Sequence, residues 1–224
     1  MRYLMTQSLL SSWQWLSKAR DAYPFDEDKA DAAEAKAEAD FLRALRRERG
    51  EPSPAMLAGR GFEALCYDIA DGRFRPGRNV ESGEPMFPPT YPGALQVARI
   101  INGGVWQVKL SKQISVGGRD FLLYGILDAV KAGTIYDIKY KTRSLGSVEL
   151  PALYADSPQH PMYFALCPEA TRFEYLVSDG QLMYAEAYER GDVAPIEATI
   201  GDFMEYLNRA CLTGVYERHW VART

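Results

Sequence analysis

The chain has 224 residues, 47% of them hydrophobic, which suits one sizeable core in an ordinary globular protein. Its formal charge of -4 excludes a globally basic field, so a site for a polyanion has to be a local basic patch. Three cysteines, Cys66, Cys167 and Cys211, are odd in number and lack any C-x-x-C spacing, which argues against a disulfide framework and against a zinc or iron–sulfur site.

Chain order begins with an apolar stretch that Gln7, Ser8, Ser11, Ser12 and Gln14 interrupt, with no small-residue cleavage site after it. No apolar run reaches the roughly 18 residues needed to span a bilayer. The expectation is a cytoplasmic protein with no membrane partner and with buried or partly buried thiols. Leu9, Leu10, Trp13 and Leu16 fall at helical spacing within residues 8–20, with Ser8 as the cap. Asp26 to Arg49 is rich in alanine and charge, acidic at its start and basic at its end, as the helix dipole favours, and Gly50 stops it. After the breaker "GEPSP", Met56, Leu57, Phe62, Leu65, Cys66 and Ile69 mark one side of another helix, with Glu63 in its middle. Residues 72–93 are rich in Gly and Pro and read as loop, followed by a short helix over "ALQVARII".

Three strand-like runs come next: Val105 to Val116, Arg119 to Val130 and Thr134 to Thr142, joined through Gly117-Gly118 and Ala132-Gly133 as an antiparallel meander. "ELPALYADSPQHPMYFALCP" carries a helix starting near Ser157 or Pro158, with Pro161 bending or delaying it. A second hairpin turns around Asp179-Gly180, and a last helix over about Glu197 to Leu212 has Phe203, Tyr206, Leu207 and Ala210 as its apolar stripe. The pattern implies a single α/β or α+β domain over 1–224, with a helical region at about 8–50.

The third strand is unusual. "TIYDIKYKTRS" places Asp137, Lys139, Lys141 and Arg143 at every second position, hence on one face, with Tyr136 and Tyr140 on the other. With Ala132-Gly133 as a two-residue turn, Lys131 faces Thr134 and Asp128 lands opposite Asp137; a three-residue loop with a bulge would shift this register by one. Opposed carboxylates repel, and a divalent cation offsets that repulsion because Mg²⁺ takes hard oxygen ligands. Lys139 on the same face supplies a compact charge for an attacking water or a phosphorane-like oxyanion, and Lys141 and Arg143 extend the face towards neighbouring phosphates. The plainer reading of the same spacing is the solvent side of an edge strand guarded by lysine.

"GILDAV" with Asp128, followed by "IYDIKYK" with Asp137 and Lys139, resembles the core motif of the PD-(D/E)XK nuclease superfamily, where an Asp ends one strand and D/E-x-K lies on the next. "GRGFE" resembles that superfamily's helical motif with a metal-binding glutamate, here Glu63. "QHPMY" has Gln159 and Tyr163 in the Q-x-x-x-Y pattern of the RecB-like branch, and "SLLSSWQWLSKARDAY" is similar to that branch's N-terminal helix. The motifs stand in the expected order over about Leu9 to Tyr163 and look most like the small stand-alone exonucleases of phages and prophages.

The resemblance implies a restriction-endonuclease-like core, a mixed central β-sheet flanked by helices. It implies a Mg²⁺- or Mn²⁺-dependent deoxyribonuclease, an exonuclease processing DNA ends in recombination or repair. A structure-specific endonuclease and a non-catalytic DNA-binding protein are the alternatives. Glu63, Asp128, Asp137 and the carbonyl of Ile138 would hold the metal, and Lys139 would position the water. Lys141, Arg143, Gln159 and Tyr163 would contact DNA, with a recombination protein as a further partner. Relatives often carry a four-cysteine iron–sulfur cluster; the spacing for it is missing here, so none is expected. His160 reads as structural or DNA-contacting rather than as a general base, and His219 as a bystander.

Overall fold

Short polar side chains cap the first three helices. The computed structural model describes residues 1–48, 50–146 and 152–222. Strand β1 (Arg2–Thr6) runs straight into α1 (Gln7–Lys18), and Thr6 Oγ1 accepts from Leu9 N at 3.4 Å, so the cap stands two residues ahead of Ser8. Asp26 caps α2 (Glu27–Leu45) through Lys29 N at 3.1 Å; Ala30, Ala37, Phe41 and Leu45 form its buried stripe, while the charged residues along it other than the half-buried Asp40 stay exposed. Ser53 caps α3 (Pro54–Ala70) through Met56 N at 3.2 Å, with Pro54 at the first helical position, where its missing N–H costs nothing.

The stretch expected as plain loop holds a short hairpin, β2 (Gly77–Arg78) with β3 (Pro85–Met86), and α4 (Tyr91–Ile101) begins three residues before Ala94. Next come β4 (Val105–Val116), β5 (Arg119–Lys131) and β6 (Thr134–Tyr140). Ala132 and Gly133 both have positive φ, 49° and 79°, which is the signature of a two-residue type I′ turn. The remaining elements are α5 (Gln159–Leu166), β7 (Arg172–Ser178), β8 (Met183–Glu189), α6 (Ile196–Arg209) and α7 (Thr213–His219). Pro161 falls within the first turn of α5, where a proline does not interrupt the helix.

Six strands form one mixed sheet in the order β1-β5-β6-β7-β8, with β4 along the other edge of β5. β5 is antiparallel to β4 and β6 and parallel to β1, and β6 is parallel to β7. Along one edge, β5 pairs with β1 over Asp120–Tyr124 and with β6 over Ala129–Lys131. The sheet therefore splits over 125–128, and this opening positions the site described below.

Helices flank both faces. The larger core joins Leu9, Leu10 and Phe41 to Phe121, Leu123, Phe173, Phe203 and Tyr216. The smaller one packs α3 and α4 against Ala129, Ile138 and Leu176 through Phe62, Cys66, Val97 and Ile101. Neither β1 nor α7 was expected from the sequence. β1 is clamped on its other side by the C-terminal segment: Leu4 N donates to Trp220 O at 2.6 Å, Ala222 N to Arg2 O at 2.9 Å and Tyr216 Oη to Leu4 O at 2.9 Å. Cys66 is buried and Cys167 partly buried, but Cys211 is exposed, contrary to the expectation for the thiols, because it lies just past the end of α6 with its φ at 57°. No described helix is long and apolar enough to cross a membrane.

Gly125 marks the tightest approach of a helix to the split strand. A Cβ there would lie 2.8 Å from Leu166 Cδ1 and 2.9 Å from Tyr163 Cε1, so the glycine lets α5 sit directly on β5. Gly125→Ala is expected to lower stability by about 1–3 kcal/mol, the usual cost of overpacking, measured as the change in denaturant unfolding free energy.

Candidate active site

The turn register is the one the two-residue loop predicts: Lys131 faces Thr134, Val130 faces Ile135 and Ala129 faces Tyr136. The next row would pair Asp128 with Asp137, and there the ladder stops. Asp128 Oδ2 instead accepts the Ile138 N–H at 2.8 Å, a side chain standing in for a strand. Pairing lapses in the same row on the β4 side. Trp106 faces Ala129 and Val108 faces Leu127, but Gln107 between them has φ 53° and is out of the ladder. Asp128 thus sits at a break on both edges of its strand.

Asp137 lies in the middle of β6, only 2% exposed. Gln159 Nε2 donates to its Oδ1, and Lys139 Nζ lies 2.7 Å from Oδ2 as an ion pair. Lys139 Nζ also donates to Gln159 Oε1 at 3.0 Å, so the amide ties lysine and aspartate together from both of its ends. About a third of the Lys139 side chain, 31%, stays accessible. Burial opposes its charge, but the adjacent Asp137 carboxylate outweighs this and holds the ammonium above its ordinary pKa. Gln159 and Tyr163, expected to contact DNA, are both buried; the Tyr163 hydroxyl donates to Ile126 O at 2.9 Å, across the split in β5.

Glu63 is held from α3. Tyr67 Oη lies 2.7 Å from Glu63 Oε1 and 3.1 Å from Asp128 O, and Gln107 Nε2 donates to Glu63 Oε1 at 2.7 Å and to Tyr67 Oη at 3.0 Å. The single hydroxyl proton can serve only one of its two acceptors at a time. Asp128 faces the charges of both carboxylates. Desolvation first, then Asp137 and Glu63, push its carboxyl well above the ordinary range. Sequence reasoning missed Tyr67 and Gln107. Tyr67 stands four residues after Glu63, on the same helix face, and that spacing was a usable signal; nothing in the alternation of β4 singled out Gln107.

Beyond this centre, Lys141 is exposed with its Nζ 5.4 Å from the Tyr154 ring, and Arg143 is exposed in the loop after β6. The Ile138 side chain packs in the smaller core, with Tyr136 and Tyr140 against it, opposite the face of Asp137. His160 is buried, stacked on Tyr188 at 4.1 Å and paired through Nδ1 with Tyr175 Oη at 3.1 Å; desolvation, opposed by Glu186, lowers its pKa to about 4, so it is neutral packing. His219 ends α7. Two larger concavities, each about 570 Å³, lie by β1 and by the start of α2, and none of the carboxylate-centre residues lines them.

The structure is thus a mixed α/β protein whose split sheet carries a buried cluster of carboxylates, lysine and glutamine. Among the described residues, no three His, Cys, Asp or Glu side chains are grouped so as to hold a metal ion. No family model matches the sequence, and no curated relative matches it. The crystal structure of SSO0001 is similar at 14% sequence identity and a TM-score of 0.44, over 92% of this chain and 77% of that one.

A raised carboxylic acid binds its proton more tightly in the folded than in the unfolded chain. Its contribution to stability is complete below the ordinary carboxylate range and is lost as pH rises through the folded value. In chelator-containing buffer, Asp128→Asn is expected to reduce the decline in unfolding free energy with rising pH, since an amide can still accept the Ile138 N–H. The check is a pair of denaturant midpoint series from pH 5 to 9.

Proposed function

We propose that the protein is a metal-dependent DNA nuclease built on a restriction-endonuclease-like core, an exonuclease acting on DNA ends. The observation that carries this reading is the juxtaposition of Asp128 and Asp137 at the break in the sheet, with Lys139 and Gln159 locked onto Asp137. The donor chemistry suits a hard divalent cation: the carboxyl of Asp128 is burdened by two neighbouring negative charges, and Asp137 Oδ2 is a buried carboxylate oxygen whose partner is the Lys139 ammonium. Asp128, Asp137 and the Ile138 carbonyl would hold Mg²⁺ or Mn²⁺, and Glu63 is the outer member, engaged by Tyr67 and Gln107. Such an ion, when bound, lowers the pKa of a water and offsets charge on the phosphate.

The chain's own residues have separable tasks. Lys139 stays protonated beside Asp137 and is the group that would orient the attacking water or neutralise the developing oxyanion. Gln159 fixes both the lysine and the aspartate, so it positions the pair without needing to touch substrate. Lys141 and Arg143, exposed just beyond the strand, are placed to neutralise neighbouring phosphates. A second reading, a non-catalytic DNA-binding protein, draws on the lack of a closed three-carboxylate metal group among the described residues.

Digestion of end-labelled linear DNA with Mg²⁺ or Mn²⁺, and none with EDTA, is the expected result. Asp137→Ala and Lys139→Ala should each reduce the rate by at least about 100-fold. Resistance of closed circular DNA marks an exonuclease, and its cleavage an endonuclease. Metal-independent digestion or undiminished variants would overturn the proposal, and steeply salt-dependent binding without product would select the second reading.

A further inference from the structure

A groove of about 340 Å³ runs between α1 and residues 152–158 and ends on Lys139 and Gln159. Its volume is at the small end of ligand pockets, which run from ~300 to 1,000 Å³, and gives room for one flat base. One wall is a single stripe of α1, with Gln7, Ser11, Gln14, Trp15 and Lys18 facing it. The opposite wall is fixed without any ligand. Glu186, 6% exposed, accepts Leu153 N at 2.8 Å and Tyr154 N at 2.9 Å, Tyr154 stacks on Tyr175 at 4.2 Å, and Lys18 pairs with Asp156 at 2.7 Å.

Two tryptophans on α1 have different fates. Trp13 packs against Phe203 and Tyr206, with ring centroids 5.5 and 6.0 Å away, and serves the core. Trp15 is 52% exposed on the polar stripe, and among the described residues its ring pairs with no other aromatic ring. A large aromatic face lining a preformed groove together with Lys139, with Lys141 beside Tyr154, suits an aromatic ring carried on an anionic chain.

We infer that this groove takes one unpaired nucleotide of a single strand, its base stacked on Trp15 and its phosphate directed to Lys139. The inference rests on the nuclease reading for the class of ligand, but its test does not depend on turnover. The groove would make the protein a reader of frayed or single-stranded ends rather than of intact duplex.

Full-length protein in EDTA is titrated with fluorescein-labelled oligothymidylate, an abasic oligomer of equal charge, and a blunt duplex, using anisotropy. Trp15→Ala should weaken oligothymidylate binding at least about fivefold, the low end for one stacked base, while Trp15→Phe stays within about threefold of the parent. Abasic and duplex affinities should not change with Trp15→Ala. Phe25→Ala, removing a 99% exposed aromatic outside the groove, should have no effect. Equal oligothymidylate affinity for parent and Trp15→Ala, or equal losses on the abasic strand, would overturn the inference. If the Trp15 pattern holds while no metal supports cleavage, the groove stands and the catalytic reading falls; cleavage with no Trp15 effect gives the reverse.

Discussion

One hydrogen bond, from the Ile138 N–H to the Asp128 carboxylate, decides the shape of everything around it. Where β5 turns away from β6, a backbone donor would otherwise be left without a partner inside the protein, at a cost of about 1–3 kcal/mol. The carboxylate satisfies it and at the same time permits the strands to part. Once parted, β5 is free to pair with β1, α5 can lie on Gly125, and the Tyr163 hydroxyl can reach the Ile126 carbonyl. A residue that looks catalytic in the sequence is therefore also architectural.

The charge arrangement around this break is high in energy by the nature of its parts. Asp128 is pushed up by burial and by two carboxylates, while Asp137 leans on Lys139. The neighbouring groups are held in place on both faces of the sheet: Tyr67 and Gln107 fix Glu63, and Gln159 fixes the aspartate–lysine pair. Perturbed ionisable groups cluster at functional sites and also occur in ion-pair networks that serve structure alone.

Much of this was legible in the residues. The meander from Val105 onwards has clear alternation and glycine-marked turns, and the register of Lys131 against Thr134 follows from counting across Ala132-Gly133, whereas the lapse of pairing before Asp128 and Asp137 does not. β1 was not legible, because five residues beside a helix carry little periodic signal and its partner lies more than a hundred residues away. α7 is too short to show a stripe. The burial of Gln159 and Tyr163 was hidden for another reason: the spacing of two polar residues on a helix says that they share a face, not which way the face points. Gln107 could be found only in three dimensions, since its role depends on a backbone distortion rather than on residue type.

The clamp on the first strand has a consequence for the order of events during folding. β1 gains one set of bonds from the middle of the chain and another from residues 220–222, so its place is completed by closure of a loop nearly as long as the chain. Loop-closure entropy delays such contacts, and during synthesis the last of them must wait until the final helix has been made. The helices and meander can form early, whereas the sheet edge at β1 is sealed last, and until then α1, which carries Trp15, hangs from a strand with an open side.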